Sequence, residues 1–246
     1  VCSGAAVGLP GGTAVFSEDN IDALLRGDNR ITPISIDEQH KFLKKNIVRV
    51  SKNAQTGQGA FQRVEKLGQV IQLAGQKSSF DLGEYDIPEE LSNSFDITTK
   101  LAFAAGLEAL KDAKIPLIPR YRNKQKQIGW MLPESLQKGT GVIFASAFPG
   151  YSNLLENIKN PPAEFDRKFL FRVLSMGHSQ FAQYIGAKGP NTYVNAACAS
   201  TTQAIAIAQD WIQSQRAERV IVIAADDVTN EQLLEWIGAG FLSVGA

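Results

Sequence analysis

The residues with the clearest chemical potential form one short run, Asn195-Ala196-Ala197-Cys198-Ala199-Ser200-Thr201-Thr202. A strand pattern precedes it over 192–196 and a helical one follows over 199–213. Cys198 therefore falls where a buried strand turns into a helix. A thiol at that point faces the unpaired N–H groups and the positive end of the helix dipole, which favour the thiolate. Ala196, Ala197, Ala199 and Ser200 are small. They leave room for a covalent acyl group and let backbone N–H groups approach an oxyanion. The chemistry this arrangement suits is formation of an acyl thioester. The competing reading of a lone cysteine is a small apolar residue that only packs. That is the reading for Cys2, which belongs to an opening apolar run over 1–7, expected as a short buried strand.

The elements that must position Cys198 come next. Residues 219–225 are apolar on both faces, as in the middle of a parallel sheet covered by helices. Residues 192–196, 199–213 and 219–225 then make one βαβ unit with a right-handed crossover. Ala204, Ile207, Ala208 and Trp211 form the buried stripe of its helix. A further strand is expected over 141–147, turned by Phe148-Pro149-Gly150. Asp96 opens a helix to about 113, with Phe103, Gly106, Leu107 and Leu110 on one stripe, and Pro116 and Pro119 end it. Another helix is expected over 169–185, closed by Gly186. Residues 117–139 read as a basic loop. Near the start, Asp19 or Asn20 caps a helix over 21–27, and 31–36 is loop or edge strand. Residues 37–80 are polar, with Lys41, Lys44, Lys45, Arg49 and Lys52 in a basic segment. They read as a solvated surface excursion or, more sharply, a docking patch for an acidic partner.

Composition bounds the function. The chain has 246 residues, 25 Lys+Arg against 25 Asp+Glu, 44% hydrophobic and 20% charged residues. That balance speaks against a nucleic-acid binder working through a strong overall positive field. Two cysteines do not make a disulfide scaffold, so a reduced, cytoplasmic compartment is expected. No apolar run approaches a membrane span. The chain opens on Val1 without a basic leader and stops at Ala246 within an apolar stretch, which reads as a piece of a longer polypeptide. Several motifs fail. Gly57-Gln58-Gly59 and Gly238-Ala239-Gly240 do not complete a dinucleotide fingerprint, and there is no Walker A lysine or G-x-S-x-G elbow. Two histidines, His40 and His178, and two distant cysteines make a zinc site improbable. Asp226-Asp227 ends a strand, where the pair would either hold a hard cation or start a loop and cap the next helix.

The run from Gly189-Pro190 through Asn191, Thr192, Tyr193 and Val194 to Asn195-Ala196-Ala197-Cys198-Ala199-Ser200 resembles the active-site segment of β-ketoacyl synthases. These are the ketosynthases of fatty-acid and polyketide synthases. Glu108-Ala109-Leu110-Lys111-Asp112-Ala113 is similar to the end of the family's first long helix. Gly139-Thr140-Gly141-Val142-Ile143 is similar to its G-x-G-V strand. The opening with Pro10-Gly11-Gly12, then Leu24-Leu25-Arg26-Gly27, and 220–225 also match. Asn195 stands where many members carry Asp or Thr, and 37–80 looks like an elaboration of some multienzyme synthases. The family's two catalytic histidines and a lysine lie in the second half of its fold. Neither His40 nor His178 matches those motifs; His178 reads as a helix-face or interface histidine, and is the first candidate within this chain should Cys198 have a histidine partner here.

The resemblance implies an α/β, thiolase-like fold, with 1–246 as the N-terminal part of a ketosynthase domain: a mostly parallel sheet with helices on both faces. It implies Cys198 as nucleophile, its backbone N–H in the oxyanion hole, and decarboxylative Claisen condensation with a malonyl-type extender. No cofactor or metal is expected, since substrates ride on the phosphopantetheine of acyl carrier protein. The implied partners are acyl carrier protein, a second copy of the chain and other domains of a multienzyme synthase, with no nucleic acid and no membrane. Another thiolase-superfamily acyltransferase and a non-catalytic ketosynthase-like partner subunit are the alternatives.

Overall fold

The structure, a computed structural model, describes the whole chain except Thr13, Ala54, Lys77, Lys124, Phe165, Asp166, Ser175, Asn230, Glu231, Gln232 and Ala246, and the side chains of Lys168, Arg172 and Val173. In chain order the elements are α1 (Asn20–Arg26), β1 (Thr32–Pro33), α2 (Ile36–Leu43), β2 (Val48–Lys52), β3 (Gly59–Arg63), β4 (Leu73–Ala74), α3 (Glu89–Ser92), α4 (Ile97–Asp112), β5 (Ile118–Arg122) and β6 (Lys126–Met131). They continue with α5 (Glu134–Gln137), β7 (Thr140–Ala145), α6 (Tyr151–Lys159), α7 (Arg167–Val173), α8 (Gly177–Ile185), β8 (Asn191–Val194), α9 (Ser200–Gln213), β9 (Arg219–Ala224) and α10 (Leu233–Ser243). The chain divides into two units: Val1–Gly8 with Phe80–Asp227, and Leu9–Ser79 with Val228–Ala246.

The first unit is built on a parallel sheet in the order β8-β7-β9. Residues of β7 alternate between two covered faces. Ile143 and Ala145, with Val194, Val220 and Val222, pack against Ala204, Ala208 and Trp211 of α9. On the other face the Phe144 ring lies against Gly177 of α8, and Ile223 lies against Gly106 of α4. Both faces are therefore dry, and each large buried side chain contributes about 1.5–3 kcal/mol. The N-terminus of α4 is fixed by Asp96, whose carboxylate accepts from Thr99 N–H at 3.1 Å. Such a cap is worth about 1 kcal/mol. At Gly189 an added Cβ would meet the Thr140 carbonyl oxygen at 2.5 Å. Gly189 N–H donates to that same oxygen, and Val142 N–H to the Pro190 carbonyl. The Gly-Pro pair is thus where β8 comes alongside β7 too closely for any side chain.

The second unit has its own apolar centre. Ile34, Phe42, Ile47, Val64, Val70 and Ala74 pack with Leu234 and Leu242 of α10. Ser35 closes a capping box with Glu38 at the start of α2. Lys45 pairs with Glu235 at 2.9 Å and stacks over the Trp236 ring at 4.1 Å. β1 pairs with β4, and β2 with β3, both antiparallel.

Several expectations are corrected. Residues 1–7 form no strand: Ala5 N–H donates to the Asp112 carboxylate, and Gly4 lies against the end of α4. Cys2 is consequently exposed, not buried. Residues 117–139 hold the antiparallel hairpin β5–β6 and the short α5, because Asn123 takes the left-handed conformation (φ 53°) that turns the chain. β9 lies beside β7 rather than in the middle of the sheet, and β7 separates β8 from β9. Two apolar faces reveal covering helices, not a place in the hydrogen-bonding order. The helix expected over 169–185 is two helices, with Leu174 and Met176 non-helical and Ser175 outside the described residues. Residues 37–80 are more than a solvated excursion, since Phe42, Ile47, Val64, Val70 and Ala74 belong to a buried cluster. The parallel arrangement is confined to β7, β8 and β9, and the remaining described strand pairs are antiparallel.

Candidate active site

Because β7, β8 and β9 are parallel, their carboxyl ends meet at one edge, the side of such sheets where ligands bind. Three loops emerge there: the turn after Ala145, the run Asn195-Ala196-Ala197-Cys198-Ala199, and Ala225-Asp226. They are joined by polar contacts. The Tyr193 hydroxyl donates to the Ser146 carbonyl, and Asn195 Nδ2 to the Ala147 carbonyl at 3.2 Å. Asp226 accepts from Ser146 Oγ at 2.8 Å and from the Ala147 and Phe148 N–H groups at 2.9 and 3.0 Å. The loop after β7 is also held from α4, where Asp96 accepts the Gly150 N–H at 2.9 Å.

Cys198 sits two residues before the first residue of α9, with Ala199 as N-cap. Its free thiol is exposed, as are Asn195, Ala196, Ala197 and Ala199 around it. The preceding residue makes the bend: Ala197 has φ 49°, in the left-handed region that costs a non-glycine residue about 1–2 kcal/mol. Buried Ser200 stabilises that conformation from beneath. Its hydroxyl oxygen accepts the Ala196 N–H at 2.9 Å and its proton goes to the Ala197 carbonyl at 2.6 Å. Asn195 Oδ1 accepts the Ala197 N–H at 3.1 Å. The result is a sharp elbow with a thiol at its tip, open to a substrate from outside.

The other residues raised from sequence fall elsewhere. His178 occupies the first turn of α8, half-buried. His40 lies in the last turn of α2, in the second unit. The cation reading of Asp226-Asp227 is not supported. The Asp226 oxygens already serve three donors, and no group of three or more His, Cys, Asp or Glu among the described residues could hold a metal ion. Lys41 and Lys45 of the basic segment both reach Glu235, at 3.9 and 2.9 Å. Sequence reasoning missed Ser200 as a clamp, Ala197 as the strained residue and Asp226 as the tie between two loops. Ser200 carried a readable signal, a hydroxyl side chain at the start of the expected helix over 199–213. Asp226 carried none, because its partners lie about 80 residues away.

Comparison with known proteins places this arrangement. The chain is 24% identical over 166 residues to a lovastatin diketide synthase of Monascus pilosus, a match covering 67% of this chain and 6% of that protein. The solved structure described as the ishigamide ketosynthase/chain length factor superposes with a TM-score of 0.62 at 18% identity, covering 98% of this chain and 50% of that one. A β-ketoacyl synthase from Burkholderia phymatum STM815 superposes with a TM-score of 0.52 at 18% identity, covering 87% and 44%. These structures share the fold, and the chain spans half of each or less. The family model for the N-terminal domain of β-ketoacyl synthases matches residues 1–243, with the Cys198 elbow inside the matched region, and the chain belongs to that family.

Proposed function

We propose that this chain forms the nucleophile-bearing part of a β-ketoacyl synthase and that Cys198 carries the growing acyl chain. The observation that supports this most is the exposed thiol at a strained strand-to-helix elbow on the carboxyl edge of a parallel sheet. In the first step the Cys198 sulfur attacks the carbonyl of an acyl thioester on acyl carrier protein. The new carbon–sulfur bond forms, and the phosphopantetheine thiol leaves with a proton. The Cys198 N–H serves as one donor to the transient oxyanion. In the second step a malonyl-type thioester loses CO₂, and the electrons of the broken carbon–carbon bond form an enolate. That carbon attacks the Cys198 thioester, giving a β-ketoacyl chain two carbons longer and releasing the Cys198 sulfur. Histidines from outside residues 1–246 assist the decarboxylation and hold the enolate oxygen.

The test is acylation of the full-length protein by an acyl thioester, read by mass spectrometry of the Cys198 peptide. Acyl transfer to Cys198, lost in Cys198→Ala, is the expected result. Acylation that persists in Cys198→Ala would overturn the assignment. The unsubstituted protein separates this reading from a non-catalytic partner subunit, in which Cys198 takes no acyl group.

We further propose a homodimer in which β8 lies beside the same strand of a second copy. β8 is an edge strand of the described sheet, and edges of this kind are normally covered. Sedimentation of the full-length protein should give a dimer, and a stable monomer would refute the pairing.

A further inference from the structure

A concavity lies in the first unit, lined by α3, α4, α7, α8 and the β5–β6 hairpin and by none of the three loops at the Cys198 edge. Its volume is about 280 Å³. At ~30 Å³ per water- or methylene-sized group that is room for roughly nine such groups, at the lower end of ligand sites. Leu91, Phe95, Phe103 and Phe171 form an apolar lining. Phe95 and Phe103 pack ring to ring at 4.5 Å between centroids, and Phe103, fully buried, backs the lining from behind.

The polar lining is unequal in charge. Arg120 and Arg122 both face the cavity, against the single carboxylate of Glu90. Glu90 reaches Arg122 at 3.8 Å in an exposed pair of small energetic value. Arg120 is different. It is half-buried, no carboxylate pairs with it among the described residues, and its Nη1 makes only long contacts, 3.5 and 3.4 Å, with the carbonyls of Gln183 and Tyr184. Carbonyl oxygens do not neutralise a guanidinium, and its remaining N–H donors form a fork that matches a carboxylate. An apolar slot with an unneutralised guanidinium at its side is complementary to a molecule with a hydrocarbon body and an anionic end.

We propose that this cavity binds a medium-length amphipathic carboxylate, with the hydrocarbon against Leu91, Phe95 and Phe171 and the carboxylate on Arg120. The site is separate from the elbow, so occupancy requires neither Cys198 nor covalent chemistry.

The experiment is calorimetric titration of the full-length protein with octanoate, octanol and inorganic phosphate. Octanoate should bind, octanol should bind at least ~10-fold more weakly, and inorganic phosphate should not saturate, because a charge-assisted contact and the apolar contact each contribute well over 1.4 kcal/mol. Arg120→Gln should weaken octanoate about 10-fold or more, Arg120→Lys should recover part of the loss, and Cys198→Ala should leave the affinity unchanged. Circular dichroism checks that each variant is folded. Octanoate binding unaffected by Arg120→Gln, or lost in Cys198→Ala, would move the ligand to another site and overturn the proposal. Equal affinity for octanol would overturn the role of Arg120, and equal affinity for phosphate that of the apolar lining.

Discussion

β7 and the Cys198 elbow are neighbours in the first unit and are held by opposite means. In β7 every residue is buried, with Val142, Ile143, Phe144 and Ala145 at 0–1% exposure. Burial from two faces fixes it, and its register with β8 and β9 is set by ladder hydrogen bonds. In the elbow every residue from Asn195 to Ala199 is exposed, and almost no apolar surface is removed from water. A left-handed Ala197 is held there by Ser200 and Asn195 through short, local hydrogen bonds. The strand carries stability and tolerates no change of volume. The elbow carries reactivity and depends on a few polar contacts, so it keeps a thiol accessible without giving up its shape.

The sharpest way to break this contrast is Cys198→Ala. It should abolish acyl loading while changing stability by no more than about 0.5 kcal/mol, as for an exposed side chain without a structural role. Denaturant unfolding alongside the acylation assay checks both. A large loss of stability would mean that the elbow is structural after all. Phe144→Ala should do the reverse kind of damage, costing about 3–5 kcal/mol by opening a cavity in a dry face between β7 and α8. A cost below 1 kcal/mol in equilibrium unfolding would show that the face collapses freely.

Ser200→Ala probes the join between the two regions. It strands the Ala196 N–H and the Ala197 carbonyl beside a strained residue, at about 1–3 kcal/mol. Acylation should slow as well, because the thiol loses its fixed position, and Ser200→Thr should restore part of the rate. An unchanged acylation rate in Ser200→Ala would show that the clamp does not position Cys198.

The smallest expected effect is a pH dependence in the buried part. Burial, the main cause, raises the Tyr184 hydroxyl to about 12 from the ordinary 10.0. Its folded form holds the proton more tightly than the unfolded chain does, so its stabilising contribution is complete below pH 10 and is lost as pH rises toward 12. Unfolding measured across that window should show the slope in the native protein and a shallower one in Tyr184→Phe. Identical slopes would place the alkaline loss elsewhere.

Much of this was legible in the residues, for reasons that are local. The 3.6-residue stripe of Ala204, Ala208 and Trp211 needs only one face to be buried, and Asp96 caps α4 through a contact three residues away. The position of Cys198 between a strand and a helix follows from two such periodicities meeting. The hairpin β5–β6 leaves little trace in the sequence because its turn rests on one left-handed Asn123 within a basic stretch, and 1–7 reads as a strand only because apolarity alone does not reveal the lack of a strand partner.

Sequence by itself determined the elements flanking Cys198 and the small residues around the thiol, whereas the need for glycine before Pro190 shows only in its approach to the Thr140 carbonyl. Only the tertiary structure decided that β7 stands between β8 and β9, that Asp226 ties loops about 80 residues apart, and that Phe42 and Val64 of a polar segment share a core with Leu234. The division has one physical cause. Helical stripes, caps and turns are set by contacts within a few residues, whereas strand order and the partners of a carboxylate depend on which distant surfaces come together to exclude water.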